Sequence, residues 1–262
     1  NKEDADLVTC GNMEDNLEWL SEVDWIVEAV PENLAIKKDL LKKIAPYVKP
    51  GTIVSSNTST ISITSMAEDM PLEFRQYWMG THFFNPVRFM KLLEVIPGKD
   101  TLPEVMQFMA DFGERTLGKS IVWCKDTPGF IANRHGNQGG PTVGKLMLEM
   151  GLAFSEVDEL LGRAVGRPPT GSFRLVDLVG LDVAVAGTGS IKDVLDDPKE
   201  KELYTMPDFF LKMQEKGMLG NKTKGGFYKR VGRERLMLDL DTWEYVPVKP
   251  ADFPSLDKAK AA

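Results

Sequence analysis

Cysteine and histidine are scarce in this chain of 262 residues, which contains two of each. Cys10 and Cys124 are too few for a disulfide framework and lack metal-ligand spacing, so a reducing compartment, the cytoplasm, is predicted. His135 has no second ligand at metal spacing, and no metal site is predicted. The chain also lacks an apolar run long enough to span a bilayer, and its charged start, residues 1–4, does not resemble a secretory signal.

An excess of positive charge is also missing. The chain has 32 lysines and arginines against 39 aspartates and glutamates, which gives a net charge of −7. This balance argues against broad binding to nucleic acid or to an anionic membrane surface. An anionic ligand would therefore need a local group of lysines, and one predicted helix carries Lys37, Lys38, Lys42 and Lys43. A solvated helix face is the alternative interpretation of these four lysines.

The glycine-rich turn that holds dinucleotides is absent as well. The pattern Gly-x-Gly-x-x-Gly is approached only at Gly187-Thr188-Gly189, where Lys192 replaces the third glycine and no β run precedes the motif. Such a turn binds pyrophosphate through backbone amides at a helix N-terminus. A chain without it is expected to hold a dinucleotide poorly unless another segment supplies the turn.

What is present in the first half is an alternation of strands and helices. At 42% hydrophobic residues the chain can bury a large core in one or two domains. The pattern predicts a doubly wound α/β sheet, whose carboxyl edge would carry Glu32, Ser59 and His82. The predicted strands are 25–30, 52–56, 77–84, 92–96 and 120–123, and the predicted helices are 33–47, 61–68 and 103–117.

The second half has a helical pattern. Asp126-Thr127-Pro128-Gly129 marks the boundary, which predicts domains at 1–125 and 126–262. Helix starts are indicated by Ser155 with Asp158, by Ser172 before the apolar run 175–185, and by Pro207-Asp208. The C-terminal domain is therefore predicted to be mostly α-helical, with a mobile tail after Pro250.

The most informative stretch is His82-Phe83-Phe84-Asn85-Pro86, followed by Glu94 on the next predicted strand. An alcohol gives up its carbinol hydride as its hydroxyl proton leaves, and histidine is the base whose unperturbed pKa of about 6.5 suits neutral pH. A carboxylate on the far ring nitrogen fixes the tautomer and stabilises the imidazolium. The alternative is a structural histidine beside a solvated glutamate.

These motifs resemble the 3-hydroxyacyl-CoA dehydrogenase family. The resemblance rests on 80–86 with 92–95, on Ser56-Asn57-Thr58-Ser59, on 126–134, and on 27–34, and it extends with gaps from about residue 7 to about residue 230. It is strongest to the bacterial members that are fused to, or work beside, an enoyl-CoA hydratase. The resemblance implies a partial Rossmann-like sheet, followed by a helical domain.

The resemblance also implies a function and a set of site residues. The expected reaction is NAD-dependent oxidation of a 3-hydroxyacyl-CoA to the 3-oxoacyl-CoA in fatty-acid β-oxidation, by a homodimer or within a multifunctional chain that includes an enoyl-CoA hydratase. The acyl-CoA thioester is the expected substrate. The expected roles are His82 as base, Glu94 as its support, Ser59, Asn85 and Asn133 as polar partners of the reacting groups, and Glu32, Lys37, Asn57 and Ser59 as cofactor contacts. Ordinary turn chemistry is the alternative for Asn57, Ser59 and Asn85.

Two departures from the family lead to further expectations. The first strand, 25–30, stands where the family has already completed a strand, a glycine-rich turn and a helix, so the chain is expected to be an N-terminally truncated part of a longer protein. After Arg134 the segment 135–141 contains three glycines and Pro141, which should break a helix. The helix is therefore expected to start near Val143, which would displace Asn133.

Two rival functions stay open on sequence grounds. One is another β-hydroxyacid dehydrogenase, of the class that uses a lysine as acid and base. The pairing of His82 with Glu94 argues against it. The other is a cofactor-deficient fragment that acts as an acyl-CoA-binding or assembly module, which the missing glycine-rich turn favours.

Overall fold

The computed structural model describes residues 5–261, and the charged start predicted at 1–4 lies outside them. The chain divides into two compact units, Asn1–Ile131 and Ala132–Ala262. The division falls after Ile131 rather than at the predicted 125/126 position. Phe130 explains the difference, because its buried ring packs in the core of the first unit.

The first unit is built on a five-stranded mixed sheet in the order β1-β2-β3-β4-β5. β1, β2 and β3 are parallel, β4 runs antiparallel to β3, and β5 is parallel to β4. The carboxyl ends of β1, β2 and β3 therefore lie at one edge of the sheet. The strands are β1 (Trp25–Glu28), β2 (Ile53–Ser56), β3 (Trp78–Phe83), β4 (Leu92–Pro97) and β5 (Ser120–Trp123).

The helices of the first unit include three that lie within the predicted ranges 33–47, 61–68 and 103–117, and one, Leu72–Arg75, that was not predicted. They are α1 (Leu34–Ile44), α2 (Ile63–Met66), α3 (Leu72–Arg75) and α4 (Pro103–Arg115). The Asn33 side chain accepts a hydrogen bond from the Ile36 amide and so caps α1. Proline occupies the first position of α4, and Gly118, with a φ of 64°, follows its end.

Apolar clusters cover both faces of this sheet. Adjacent residues of β3 point to opposite faces, and Trp78 packs in one cluster while Met79 packs in the other. The first cluster also contains Leu41 of α1 and Ile63 of α2, and the second contains Met109 of α4. A sheet covered on both faces by helices confirms the predicted α/β class.

The second unit consists mainly of helices around an aromatic core. Its helices are α5 (Ala132–Glu149), α6 (Phe154–Leu160), α7 (Phe173–Val179), α8 (Leu181–Val194), α9 (Pro198–Leu203), α10 (Asp208–Glu215) and α11 (Pro254–Ala261). Phe154, Phe173, Phe210 and Phe227 form ring pairs with centroids 4.7 to 6.4 Å apart. Aromatic pairs at such spacings add to the stability that their burial gives.

Two parts of this unit differ from the sequence expectation. An antiparallel sheet, β6 (Tyr228–Val231), β7 (Glu234–Leu238) and β8 (Tyr245–Pro247), was not predicted. Three of the four β6 residues are exposed, so this strand lacks the apolar alternation that would reveal it. The segment expected to be a mobile tail contains α11, where the buried side chain of Leu256 anchors the helix.

The expected break after Arg134 does not occur, because α5 runs continuously through Gly136, Gly139, Gly140 and Pro141. A proline inside a helix leaves the carbonyl four residues earlier without its amide donor. Here that carbonyl belongs to Asn137, and the hydroxyl of Thr188 on α8 lies 3.4 Å from it, while the same hydroxyl lies 2.9 Å from the carbonyl of Ala184. Tertiary contacts therefore outweigh the low helix propensity of the segment.

Small residues also bring α5 close to its neighbours within the second unit. A Cβ atom on Gly144 would stand 2.7 Å from Cε2 of Phe210, and one on Gly187 of α8 would stand 3.1 Å from Oδ1 of Asn137. The glycines of this region thus permit close packing, which compensates for their cost in helix propensity. Within residues 5–261, no helix combines the length and the apolar character needed to cross a bilayer.

Candidate functional site

The register of β3 and β4 places His82 directly opposite Glu94. His82 Nδ1 lies 2.7 Å from Glu94 Oε2, and both side chains are buried, with residue exposures of 3% and 0%. A carboxylate at Nδ1 holds the proton there in the neutral ring, which leaves the Nε2 lone pair to accept a proton. The predicted pairing of imidazole and carboxylate is therefore present as a buried hydrogen bond.

Ser59 lies on the other side of the ring. Its Oγ is 3.1 Å from Nε2 of His82, and it sits in the segment that follows β2. A substrate hydroxyl that donates its proton to His82 would have to lie close to this position, within hydrogen-bond distance of Nε2. Ser59, His82 and Glu94 thus form a continuous polar chain at the carboxyl edge of the sheet.

Aromatic side chains enclose the imidazole. The ring of Phe84 lies edge-on at 4.5 Å between centroids, and that of Phe130 lies at 5.5 Å. Because these walls are apolar, the interaction between the imidazole and Glu94 is less screened than it would be in water. The backbone amide of Ile131 donates to Oε1 of Glu94 at 3.0 Å, so both carboxylate oxygens are engaged.

Glu32 organises the loop that carries Ser59. Its Oε1 accepts hydrogen bonds from Thr58 Oγ1 at 2.6 Å, from the Ser59 amide at 2.9 Å, and from the Thr60 amide and hydroxyl at 3.0 and 3.1 Å. Partial burial raises the pKa of Glu32, but these donors and the ammonium of Lys37 outweigh it and hold the pKa below its usual value. Glu32 is therefore an anion at neutral pH.

Lys37 lies inside the protein rather than on the surface. Its Nζ donates to both oxygens of Glu28 at 2.8 and 2.9 Å and to the carbonyl of Val30 at 3.1 Å, and it lies 3.4 Å from Oε2 of Glu32. The side chain is 1% exposed. Its predicted contact with the cofactor stays a prediction, because all of the partners named here belong to the protein.

The other predicted residues lie in different settings. Asn57 accepts the Phe83 amide through Oδ1 at 2.9 Å, and so ties the segment after β2 to the end of β3. Asn85 is exposed just beyond β3, before a cis peptide bond to Pro86. Asn133 belongs to the second unit, where it lies half-buried in the first turn of α5. The roles of these three residues stay predictions.

Glu28 and Cys124 are the residues of this region that the sequence analysis missed. Glu28 is buried at the end of β1, where the amide of Val30 donates to it at 2.6 Å and the hydroxyl of Ser56 also donates to it. A glutamate inside an apolar strand, followed nine residues later by a helical lysine, was a usable signal for a buried pair. The thiol of Cys124 carried no such signal.

The described residues were compared with the needs of a metal ion and of a dinucleotide. No group of three or more histidine, cysteine, aspartate or glutamate side chains among residues 5–261 is arranged to hold a metal ion. At the carboxyl edge, the side chain of Glu32 is 39% exposed. An exposed carboxylate that follows a parallel strand is suited to accept hydrogen bonds from ribose hydroxyls, so this edge fits a dinucleotide.

Comparison with known proteins gives a consistent result. The family model for the NAD-binding domain of 3-hydroxyacyl-CoA dehydrogenase matches residues 1–127, and the model for its C-terminal domain matches residues 129–230. A solved structure of (S)-3-hydroxybutyryl-CoA dehydrogenase PaaH1 from Ralstonia eutropha matches with a TM-score of 0.71 and 31% identity, over 80% of this chain and 72% of that one.

Two relatives are much longer than this chain. A probable 3-hydroxyacyl-CoA dehydrogenase of Bacillus subtilis is 45% identical over 97% of this chain, which spans 32% of that relative. A putative fatty acid oxidation complex trifunctional enzyme of Rickettsia prowazekii is 35% identical over 97% of this chain, which spans 36% of it.

Proposed function

The chain belongs to the 3-hydroxyacyl-CoA dehydrogenase family, and on that premise we propose that it oxidises a 3-hydroxyacyl-CoA to the 3-oxoacyl-CoA with NAD. The observation that carries the proposal is the buried hydrogen bond of 2.7 Å between His82 Nδ1 and Glu94 Oε2. It prepares Nε2 as a base at the edge of the sheet where ligands of such folds bind.

In the proposed reaction, Nε2 of His82 takes the proton of the substrate's 3-hydroxyl group. The carbon–oxygen bond becomes a carbonyl as the hydride on the same carbon leaves. NAD, when bound, accepts that hydride. The imidazolium that forms lies against the Glu94 carboxylate, which stabilises its positive charge. In the reverse direction the protonated ring returns its proton to the new hydroxyl.

Ser59 supports proton transfer from the substrate hydroxyl to Nε2 of His82. Its hydroxyl lies 3.1 Å from Nε2, so it can share a hydrogen bond with a substrate hydroxyl placed beside the same nitrogen. Glu32 fixes the Ser59 loop through four hydrogen bonds to one oxygen. Asn85 and Asn133 are proposed as further partners of the reacting oxygen and of the nicotinamide side.

For the cofactor we assign Glu32 as the direct contact, through the exposed part of its carboxylate. Lys37 is 3.4 Å from Oε2 of Glu32, and acts by holding that oxygen in place. Asn57 has its Oδ1 committed to the Phe83 amide, so its contribution is to hold the strand end that carries His82.

The pathway proposed for this reaction is fatty-acid β-oxidation. A 3-hydroxyacyl-CoA is the product of an enoyl-CoA hydratase, and the name of the Rickettsia relative, a putative fatty acid oxidation complex trifunctional enzyme, supports this pathway. We therefore propose that the chain works beside a hydratase, as a homodimer or within a multifunctional chain, in the cytoplasm.

The test follows NADH formation from 3-hydroxybutyryl-CoA, with free 3-hydroxybutyrate as the second substrate. His82→Ala is expected to lower kcat by about a hundredfold to ten-thousandfold, the usual contribution of a general base, and Glu94→Gln to lower it less. His135→Ala is the matched control, because it removes the chain's other histidine, which is exposed in the second unit. Its turnover should stay within about twofold of the parent.

The rival functions give different results in the same assay. Oxidation of the free acid at a rate equal to that of the thioester would favour another β-hydroxyacid dehydrogenase. If the parent and all of its variants bind acetoacetyl-CoA but none forms NADH, the result would favour the acyl-CoA-binding or assembly module. Turnover in His82→Ala equal to that of the parent would overturn the proposal.

A further inference from the structure

We propose that Cys124 is a positioning residue for the base, because its thiol holds the carboxylate that supports His82. The inference rests on the function proposed above. Sγ of Cys124 lies 3.5 Å from Oε1 of Glu94, and the side chain is buried directly after β5. The thiol is therefore a hydrogen-bond partner of Glu94, as are His82 and the Ile131 amide.

The backbone fixes the thiol in this place. The amide of Cys124 donates to the carbonyl of Val95, the residue that follows Glu94 on β4, at 3.0 Å. This bond belongs to the last pair of the β4–β5 register, Val95 with Trp123, and fixes the backbone that carries the thiol. The carbonyl of Val122 lies 3.7 Å from Sγ and is a second possible acceptor. The thiol has one proton, so it donates to one acceptor at a time, and Oε1 of Glu94 is the nearer of the two at 3.5 Å.

His82 and the Cys124 thiol contact different oxygens of Glu94. Oε2 faces His82 Nδ1, while Oε1 accepts from Ile131 and from Cys124. Donors on one oxygen restrict rotation of the carboxylate, and so keep the other oxygen in line with the imidazole. Precise orientation of the group behind a base matters for catalysis, because small displacements of the base lower the rate strongly.

The thiol is a donor at every pH at which the protein would work. Burial, together with the nearby charge of Glu94, raises the pKa of Cys124 to about 12. A thiol held in its protonated form is a poor nucleophile. Its function here is therefore that of a weak hydrogen-bond donor and not of a reactive group.

The S–H dipole also affects which protonation state of the pair is favoured. When the thiol donates to Oε1 of Glu94, the nearer of its two acceptors, its positive end faces the carboxylate and stabilises the ionised form of Glu94. With Glu94 ionised and His82 neutral, the pair accepts the substrate proton. Loss of the dipole should favour the state in which the pair of Glu94 and His82 carries one more proton. The fall of kcat/KM at low pH, its low-pH limb, should therefore begin at a higher pH.

The experiment compares Cys124→Ala and Cys124→Ser with the parent, and uses Cys10→Ala as the matched control. Cys10 is exposed and is the chain's other cysteine. Cys124→Ala is expected to lower kcat about threefold, the low end of the effect of one hydrogen bond, with little change in KM. Its low-pH limb should move up by roughly half a pH unit, the equivalent of a threefold change in proton affinity.

The serine variant separates positioning from packing. Its hydroxyl donates to the same oxygen, so Cys124→Ser should return the low-pH limb to the position of the parent. A purely structural role would instead show as a lower urea midpoint with an unchanged pH profile. Equal displacement of the limb in the serine and alanine variants, or no displacement in either, would overturn the inference.

A second measurement keeps this test independent of turnover. The chain has two histidines, so His135→Gln leaves only the ring resonances of His82 in an NMR spectrum. In that background, Cys124→Ala should change the resonance of the proton between His82 Nδ1 and Glu94 more than Cys124→Ser does, whether or not NADH forms. An unchanged resonance in Cys124→Ala refutes the role of Cys124, whereas a changed one in a protein without turnover refutes the proposed function alone.

Discussion

Replacement of Lys37 by methionine should destabilise the first unit far more than a surface change of the same kind. Methionine is close to lysine in length and helix propensity, so α1 itself is little affected. The change removes an ammonium that donates to both oxygens of Glu28 and to the Val30 carbonyl. Glu28 then remains as a buried carboxylate whose cationic partner is gone.

The structure sets the size of this effect. The side chains of Lys37 and Glu28 are each 1% exposed, so neither charge can be rehydrated in place. Removing one partner of a buried pair costs about 3–5 kcal/mol. Lys38→Met on the same helix is the matched control, because its partner Glu68 is 58% exposed. The control should cost less than about 1 kcal/mol.

Urea unfolding followed by tryptophan fluorescence and circular dichroism measures both variants. With a typical slope of about 2 kcal/mol per molar urea, the midpoint of the first unit should fall by roughly 2 M in Lys37→Met. Adding Glu28→Gln to it should recover part of the loss, because the uncompensated charge is removed. Equal urea midpoints for Lys37→Met and Lys38→Met would show that the buried pair of Lys37 and Glu28 does not stabilise the first unit more than a surface pair does.

Three further predictions concern groups elsewhere in the chain. Burial raises the pKa of Asp177 to about 6; the folded state therefore keeps a proton that the unfolded chain releases. Stability of the second unit should fall by about 3 kcal/mol as pH rises from about 4 to 6, and urea midpoints of Asp177→Asn should lack this part of the slope. Thr188→Val should cost about 1 kcal/mol in thermal unfolding, and less in a Pro141→Ala background, where the carbonyl regains its amide donor. Iodoacetamide at about pH 8 should alkylate exposed Cys10 and spare Cys124, as mass spectrometry of the peptides would show, and equal labelling would contradict the burial of Cys124.

The part of the fold that depends on local pattern could be predicted from the sequence. Alternating apolar runs and turn residues gave the five strands of the first unit, and the Asn33 and Pro103 signals gave two helix starts. The meeting of His82 with Glu94 was predictable too, because the two residues lie on consecutive strands joined by a short loop. In each case the determining interaction is close in sequence.

What could not be predicted depends on distant partners. The continuity of α5 through Pro141 relies on Thr188, whose hydroxyl reaches a carbonyl 51 residues away in sequence. The burial of Lys37 against Glu28 was not predicted, because the spacing of nine residues between a strand glutamate and a helical lysine was not used as a signal. The β6–β8 sheet is mostly exposed on its first strand and gives little periodicity. Tertiary context decides all three.

The position where the first unit ends has a practical consequence for anyone who expresses that unit alone. A fragment that stops at Lys125, the boundary indicated by sequence, omits the core ring of Phe130 and the Ile131 amide that donates to Glu94. A fragment extended through Ile131 keeps both. Six codons therefore separate a recombinant fragment that keeps the Ile131 amide on Glu94 from one whose carboxylate has lost that donor.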